Sequence, residues 1–246
     1  MDYVRWGAGL LVLALLTYAL SRAARIPLGW LPLTALLRAV VQLAVVATIL
    51  RGVLAVPWTV VLFVVLMLST ASWTAGSRLV ELPRGHVIAL TGVLAGAAVT
   101  LVLVFALRLV DLEARYVVAV AGIIIGNAMS ASTLSGRNFL RAARARRDEV
   151  EAWLSLGATP QQAYDDIGRD AAREALLPNL DQTRSTGLVT LPGAFVGALF
   201  GGASPVVAAQ FQLVVLAGIA LTMLTTAVVV TRLAGRSAYV VTEVVG

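Results

Sequence analysis

Long apolar runs alternate with short polar segments along most of the chain. Most runs reach the ~20 residues that a helix needs to cross ~30 Å of hydrocarbon. Lipid cannot satisfy free backbone N–H and C=O groups, and the alternation typical of strands is absent, so the pattern predicts helices. We therefore predict an all-α integral membrane protein with about seven transmembrane helices. The runs lie near residues 4–21, 31–50, 56–75, 86–107, 116–135, 187–203 and 206–231.

The run over 187–203 differs from the others because it is short and is interrupted by Pro192 and five glycines. Interrupted spans of this kind often line the substrate path of transporters. Gly193 and Gly197 also have the spacing at which small residues let two membrane helices pack closely. Both interpretations stay open from the sequence.

Composition supports a membrane protein and excludes several other classes. The 246 residues are 59% hydrophobic and only 13% charged, against about 25% charged in soluble domains. There is no cysteine, which excludes disulfides, thiolate metal sites and cysteine nucleophiles. We expect one transmembrane domain over residues 1–246.

The basic residues indicate an orientation rather than nucleic-acid binding. Net charge is +6, and every basic residue is arginine. With the N-terminus outside, seven alternating helices place fourteen arginines in inner loops and four in outer loops. The positive-inside rule therefore predicts an outside N-terminus, a cytoplasmic C-terminus and a multi-pass protein of the cell membrane.

A polar segment of about fifty residues, near 137–186, interrupts the apolar pattern on the predicted cytoplasmic side. Gly157 can end a helix because glycine tolerates the left-handed conformation of a C-cap. Thr159 and Pro160 can begin the next helix as N-cap and first residue. We predict a helix, a tight turn and a second helix that runs to Leu177, with a break or kink at Pro178.

A short helix at the inner face of a transporter can transmit motion from a soluble motor subunit. In ABC importer permeases this element has a Glu-Ala-Ala and then Gly pattern, and Glu151, Ala152 and Gly157 match it at the same spacing, with Trp153 in place of the second alanine. An ordinary amphipathic surface helix is the alternative. The candidate coupling residues are Glu149, Glu151, Ala152, Leu156, Gly157, Ala158, Thr159 and Pro160.

Motifs over most of the chain resemble the Fet-type permease family, the membrane subunit of an iron-export ABC transporter. Plant aluminium-tolerance half-transporters resemble the same family. The matching stretches are 121–129, 154–163, 169–170, 175–178 and 186–193, with Arg38-Ala39, Gln42-Leu43, 71–75 and Gln212.

The resemblance implies a division of labour. The permease would carry no cofactor and catalyse no reaction, while a separate ATPase subunit binds ATP and Mg²⁺. The chain agrees, since it has no G-x-x-x-x-G-K-[ST] phosphate loop. We expect two permease copies and two ATPases in a bacterial plasma membrane, exporting iron or another metal.

Polar side chains within apolar runs are candidates for a substrate path, because such groups in a membrane usually face a partner helix or a path. Helix packing, or snorkelling in the case of Arg38, is the alternative for each. The tentative path residues are Arg38, Gln42, Asn127, Met129, Ser130, Pro192 and Gln212.

The metal ligands stay unknown, because no run has Asp or Glu near its centre and His86 is the only histidine. Hard and borderline cations usually bind carboxylate or imidazole. A non-metal substrate such as a nucleotide sugar, to which the plant relatives have been linked, is therefore an alternative. A channel, carrier or scaffold without a motor is another. An intramembrane enzyme would need a nucleophile and a base in reach, and no such motif is visible.

Overall fold

The computed structural model describes residues 3–237, and within them the chain forms ten helices and no strand. Six of these helices, α1 to α5 and α10, are long and apolar enough to cross a membrane. This confirms the predicted all-α membrane protein. The sides on which the two termini lie stay a prediction, and residues 1–2 and 238–246 fall outside the described part. The helices are α1 (Tyr3–Ala23), α2 (Leu31–Ala55), α3 (Pro57–Arg78), α4 (Gly85–Ala106), α5 (Ala114–Ala145), α6 (Arg147–Ser155), α7 (Pro160–Ala163), α8 (Asp165–Ser185), α9 (Gly193–Phe200) and α10 (Pro205–Ala234).

The chain divides into two compact units, which meet in sequence at Thr59 and Val60. The first unit contains α1, α2 and the first residues of α3. Its two long helices pack against each other, and the ring of Tyr18 stacks on that of Trp30 with the centroids 4.9 Å apart. Most other side chains of α1 and α2 are exposed, as expected for helices that face lipid or further protein.

The second unit is built around α4, α5 and α10, and its most extensive helix–helix contact is between α4 and α10. Helices α4 and α10 run antiparallel, with small residues of α4 facing α10. A Cβ atom at Gly96 would lie only 2.0 Å from Thr226 Oγ1 and 2.8 Å from the carbonyl oxygen of Thr222. Close approach through small residues is a general way to pack membrane helices. The facing pairs are Gly92 with Val230, Gly96 with Thr226, and Thr100 with Thr222.

Helices α5 and α10 run parallel, so the chain must return between them. Near their first residues the rings of Tyr116 and Phe211 are 6.0 Å apart. At their other ends Tyr164 lies 5.5 Å from the ring of Phe139 and also meets the backbone at Gly235. We call the end with Phe139, Tyr164 and Gly235 the α7 end, and the opposite end the α9 end.

The return is made by α8, the segment 186–192 and α9. Helix α8 packs on both α5 and α10, with Gly168 beside Thr231 at the α7 end. Further along, the backbone N–H of Phe195 in α9 donates a hydrogen bond to Gln212 Oε1 of α10 at 3.1 Å. The chain therefore runs antiparallel to α10 from the α7 end towards the α9 end.

The prediction of a membrane-crossing helix over 187–203 is wrong. The left-handed backbone at Gly187 (φ +90°) and the extended backbone at Pro192 leave only the eight residues of α9 helical. Cβ atoms built at Gly193 and Gly197 meet nothing within 4 Å, so these two glycines pack against nothing in the described chain. The glycine spacing that packs two helices is Gly92 and Gly96.

The predicted helix end at Leu177 is also wrong, because α8 continues through Pro178 to Ser185. Proline removes only one hydrogen bond and can be accommodated when neighbouring helices hold the chain in place. The two flanking helices, α5 and α10, provide that support here. The predicted second helix begins at Pro160 as expected but is divided into the one-turn α7 and α8, which begins at Asp165.

Candidate functional site

The predicted helix–turn–helix lies at the α7 end, and its first helix ends as the sequence predicts. Gly157 adopts a left-handed φ of +87°. Its N–H donates to the carbonyl of Leu154 at 3.0 Å, and the N–H of Ala158 donates to that of Trp153 at 3.1 Å. This pair of bonds is the Schellman motif, which satisfies carbonyls that would otherwise lack partners at a helix end.

The second helix also begins where predicted, with Thr159 as N-cap and Pro160 as first residue. The side chain of Gln162 accepts from the Thr159 N–H at 2.8 Å, and Thr159 Oγ1 accepts from the Gln162 N–H at 3.4 Å. This reciprocal capping box fixes the entry into α7. Hydrogen bonds on both sides therefore define the two-helix turn.

The turn is attached to the long helices by apolar and ionic contacts. Val150 of α6 is buried in the core. Arg146, at the end of α5, donates two hydrogen bonds of 2.7 Å to the carboxylate of Glu149 and lies 3.6 Å from Asp170 of α8. The aromatic contact of Tyr164 with Phe139 adds a third link. Movement of α6 would therefore move the end of α5.

Both candidate coupling carboxylates, Glu149 and Glu151, form ion pairs with arginines at the start of α6. The hydrogen bonds from Arg146 lower the pKa of Glu149 below its ordinary value, and the same contact raises the pKa of Arg146. Arg147 pairs with Glu151 at 2.6 Å. Exposed pairs of this kind contribute little to stability, because solvent screens the charges and the long side chains lose freedom on pairing. Glu149 and Glu151 are therefore paired on the surface of α6, and their coupling role stays a prediction.

The outward face of the turn is apolar and accessible. Leu156 is 82% exposed and Trp153 is 50% exposed, and Ala152 is exposed beside them. Trp153 and Leu156 border a shallow hollow of about 570 Å³ whose polar wall includes Asp166 and Arg169. A large aromatic and a leucine presented on a well-fixed turn have the chemistry of a protein-binding surface.

Three of the tentative path residues lie together on α5. Asn127 Nδ2 donates to the carbonyl of Ile123 at 2.8 Å, and Ser130 Oγ donates to that of Gly126 at 3.0 Å. Met129 packs against the hydrophobic core. Both polar side chains therefore donate to a backbone carbonyl of their own helix, and neither forms a hydrogen bond with another helix in the described chain.

Pro192 and Gln212 both lie at the start of α9 and take part in its capping, a role that the sequence did not predict. Pro192 is the N-cap of α9 and has no side-chain acceptor for the free N–H groups of the first turn. Gln212, 5% exposed, supplies that acceptor from α10 by bonding the Phe195 N–H. A helix that starts after proline without Ser, Thr, Asp or Asn at its N-cap was the available signal.

The other two tentative path residues, Arg38 and Gln42, lie in the first unit and are exposed on α2. Nothing in the structure tests their membership of a path. His86 lies beside Trp73 with ring centroids 5.5 Å apart. Among the described residues, no group of three or more His, Cys, Asp and Glu side chains could hold a metal ion.

The α9 end contains a second cavity, of about 460 Å³, between the α4–α5 loop, α9 and α10. Arg108, Asp111 and Arg115 supply its charges, and Gln210 is a further polar residue in its wall. The guanidinium of Arg115 lies 4.8 Å from the ring centre of Tyr116. The cavity is therefore lined mainly by apolar residues, with a few charged and polar groups among them.

Six helices that are long and apolar enough to cross a membrane define a multi-pass α-helical membrane protein. The chain belongs to the uncharacterised protein family UPF0014, which it matches over residues 7–239. It is 36% identical over 201 residues to "UPF0014 membrane protein STAR2" of Oryza sativa subsp. japonica, covering 80% of this chain and 70% of that protein.

Two other relatives carry informative names. "Protein ALUMINUM SENSITIVE 3" of Arabidopsis thaliana is 32% identical over 212 residues, covering 85% of this chain and 77% of that protein. "Probable iron export permease protein FetB" of Escherichia coli K12 is 29% identical over 180 residues, covering 72% and 70%. No solved structure matches the chain. The comparisons confirm the resemblance identified in the sequence.

Proposed function

We propose that this chain is the membrane permease subunit of an ABC transporter in a bacterial plasma membrane, exporting iron or another metal. A separate ATPase subunit would bind ATP and Mg²⁺. Two copies of each subunit would form the transporter. The relative named as an iron export permease supports the transport function and the metal substrate.

The observation that carries the proposal is the exposed apolar face of the α6–α7 turn. A soluble ATPase subunit must bind a defined feature of the membrane subunit. Trp153 and Leu156 project from a turn that is fixed by hydrogen bonds. The turn is joined to the end of α5 through Arg146. Force applied at Leu156 would therefore reach the membrane helices.

Co-purification with the ATPase encoded nearest to the gene tests the proposal. We expect Leu156→Glu to reduce complex formation and ATPase stimulation at least tenfold, because a charge would replace an apolar contact at the centre of the interface. Val80→Glu is the matched control. Val80 is 70% exposed in the turn between α3 and α4, at the same end of the protein.

Reduced binding by Leu156→Glu alone supports docking at the α6–α7 turn. Failure of the wild-type chain to bind the ATPase, or equal binding by both variants, contradicts it. Transport of ferrous iron, other divalent metals and nucleotide sugars by vesicles that contain the complex then identifies the substrate class.

A further inference from the structure

Helix α8 carries charged residues at a depth where α10 is apolar. Gly168 lies level with Thr231, and Phe195 lies level with Gln212. The 19 residues of α10 between these two levels span about 28 Å at 1.5 Å per residue. That distance is close to the ~30 Å thickness of the hydrocarbon core. The segment from α8 to α9 therefore crosses the depth that α10 crosses.

The charges lie on both sides of the middle of that depth. Asp181 lies 13 residues beyond Gly168, about 20 Å along the helix, which places it near the level of Gly218. Arg184 follows one turn later, with its Nη1 atom 3.6 Å from Asp181 Oδ1. Their side chains are 69% and 84% exposed. The exposed charged residues of α8 are Asp165, Asp166, Arg169, Asp170, Arg173, Glu174, Asp181 and Arg184.

The helix cannot rotate to bury these charges. Its opposite face, with Ala171, Ala172 and Ala175, is buried in the second unit, where α8 packs on α5 and α10. Charged groups inside a membrane are costly and almost always face a water-filled cavity or a partner. The exposed face of α8 therefore does not face lipid.

Two further features at this depth point to water. The segment 186–192 is not helical, and irregular backbone at membrane depth is tolerated only where it is buried in protein or lines a water-filled cavity. Leu188 in this segment is 95% exposed, so protein of this chain does not bury it. Asn179 Oδ1 is buried without a hydrogen-bond partner, and water is the ordinary partner of such an atom.

We propose that the exposed face of α8, from Asp166 to Arg184, lines a water-filled path through the membrane. The face carries both acidic and basic side chains, so it suits a hydrated, charged or polar solute. It does not suit one that dissolves in lipid. The water is inferred from the charges together with the irregular segment 186–192 and the buried Asn179 Oδ1. That the path carries the transported substrate rests on the proposed permease function.

The chain has no cysteine, so an introduced cysteine is its only thiol and reports on water at one position. Gln182 is exposed on α8 between Asp181 and Arg184. Ala217 is exposed on α10 at about the same level, in a stripe with the exposed Leu213, Leu221 and Leu224. Gln182→Cys and Ala217→Cys therefore form a matched pair at equal depth.

The test is the rate at which the membrane-impermeant, charged reagent methanethiosulfonate ethylsulfonate labels each variant in intact membranes. We expect Gln182→Cys to react at least tenfold faster than Ala217→Cys. Full labelling of both after unfolding in detergent confirms that each thiol is present. Equally slow reaction before unfolding overturns the proposal, because lipid or another protein surface then covers α8.

The labelling needs no ATPase, so its outcome is separate from that of the proposed function. Fast labelling of Gln182→Cys in a chain that binds no ATPase supports the water-filled path and refutes the permease. Slow labelling in a chain that does bind its ATPase overturns the α8 path alone. Slower labelling in the presence of the identified substrate supports the inference that the substrate occupies this path.

Discussion

Replacing Gly96 with alanine tests the packing of α4 on α10. The added Cβ would lie 2.0 Å from Thr226 Oγ1 and 2.8 Å from the backbone oxygen of Thr222. The threonine side chain could rotate away, but the carbonyl belongs to the helix backbone. The two helices must therefore separate by some tenths of an ångström, which disturbs the buried hydrogen bond between Thr222 and Thr100, 2.6 Å long.

The expected loss combines two opposing effects. Overpacking a well-packed core costs about 1–3 kcal/mol, while alanine in a helix interior is about 0.5–1 kcal/mol better than glycine. We expect a net destabilisation of about 1–2 kcal/mol from the difference. At roughly 2–4 °C per kcal/mol for a chain of this size, Tm would fall by about 2–8 °C.

Thermal unfolding in detergent, followed by tryptophan fluorescence, measures this change. Gly126→Ala is the control, because a Cβ at Gly126 in the interior of α5 meets nothing within 4 Å. That variant should gain about 0.5–1 kcal/mol. If both variants were more stable than the wild-type protein by the same amount, the packing argument for Gly96 would be refuted.

Three further predictions concern individual polar contacts. Gln212→Leu removes the acceptor that caps α9 and should speed hydrogen exchange of the α9 amides by the equivalent of about 1–3 kcal/mol, whereas Gln212→Glu, which keeps an acceptor, should not. Thr222→Val should cost about 0.6 kcal/mol, and a double-mutant cycle with Thr100→Val should show coupling of that size in thermal unfolding. Independent, additive losses would contradict the bond between them. Arg146 lowers the pKa of Glu149 in the folded protein. The ion pair therefore stabilises α6 fully at neutral pH and loses this effect as the pH falls from the ordinary pKa of glutamate through the lowered pKa of the folded state. Glu149→Gln should abolish this pH dependence in the hydrogen exchange of the α6 amides.

The sequence predicts most of the fold because a helix is the stable form of a long apolar run surrounded by lipid. The turn at Gly157 and Thr159 is equally predictable, since left-handed glycine and a threonine–proline start are local signals with a direct physical cause. Both are present in the structure. The ATPase that we expect this turn to contact stays a prediction.

The return from α5 to α10 could not be predicted, because hydropathy is the wrong measure for it. The apolar residues over 187–203 form only the short α9, while the charged α8 covers the distance. A helix that is polar on one face can run at membrane depth when its other face packs on protein and its polar face meets water. That condition depends on the neighbouring helices, which no local pattern reveals.

The length of α5 has a mechanical consequence. Its 32 residues form one continuous helix without proline, about 48 Å long. A rigid rod of that length, tilting by ~10° about its middle, moves each end by about 4 Å in opposite directions. The displacement exceeds the diameter of a water molecule. A push that tilts the α7 end would thus displace the α9 end by more than the width of a water molecule, with every hydrogen bond inside the rod intact.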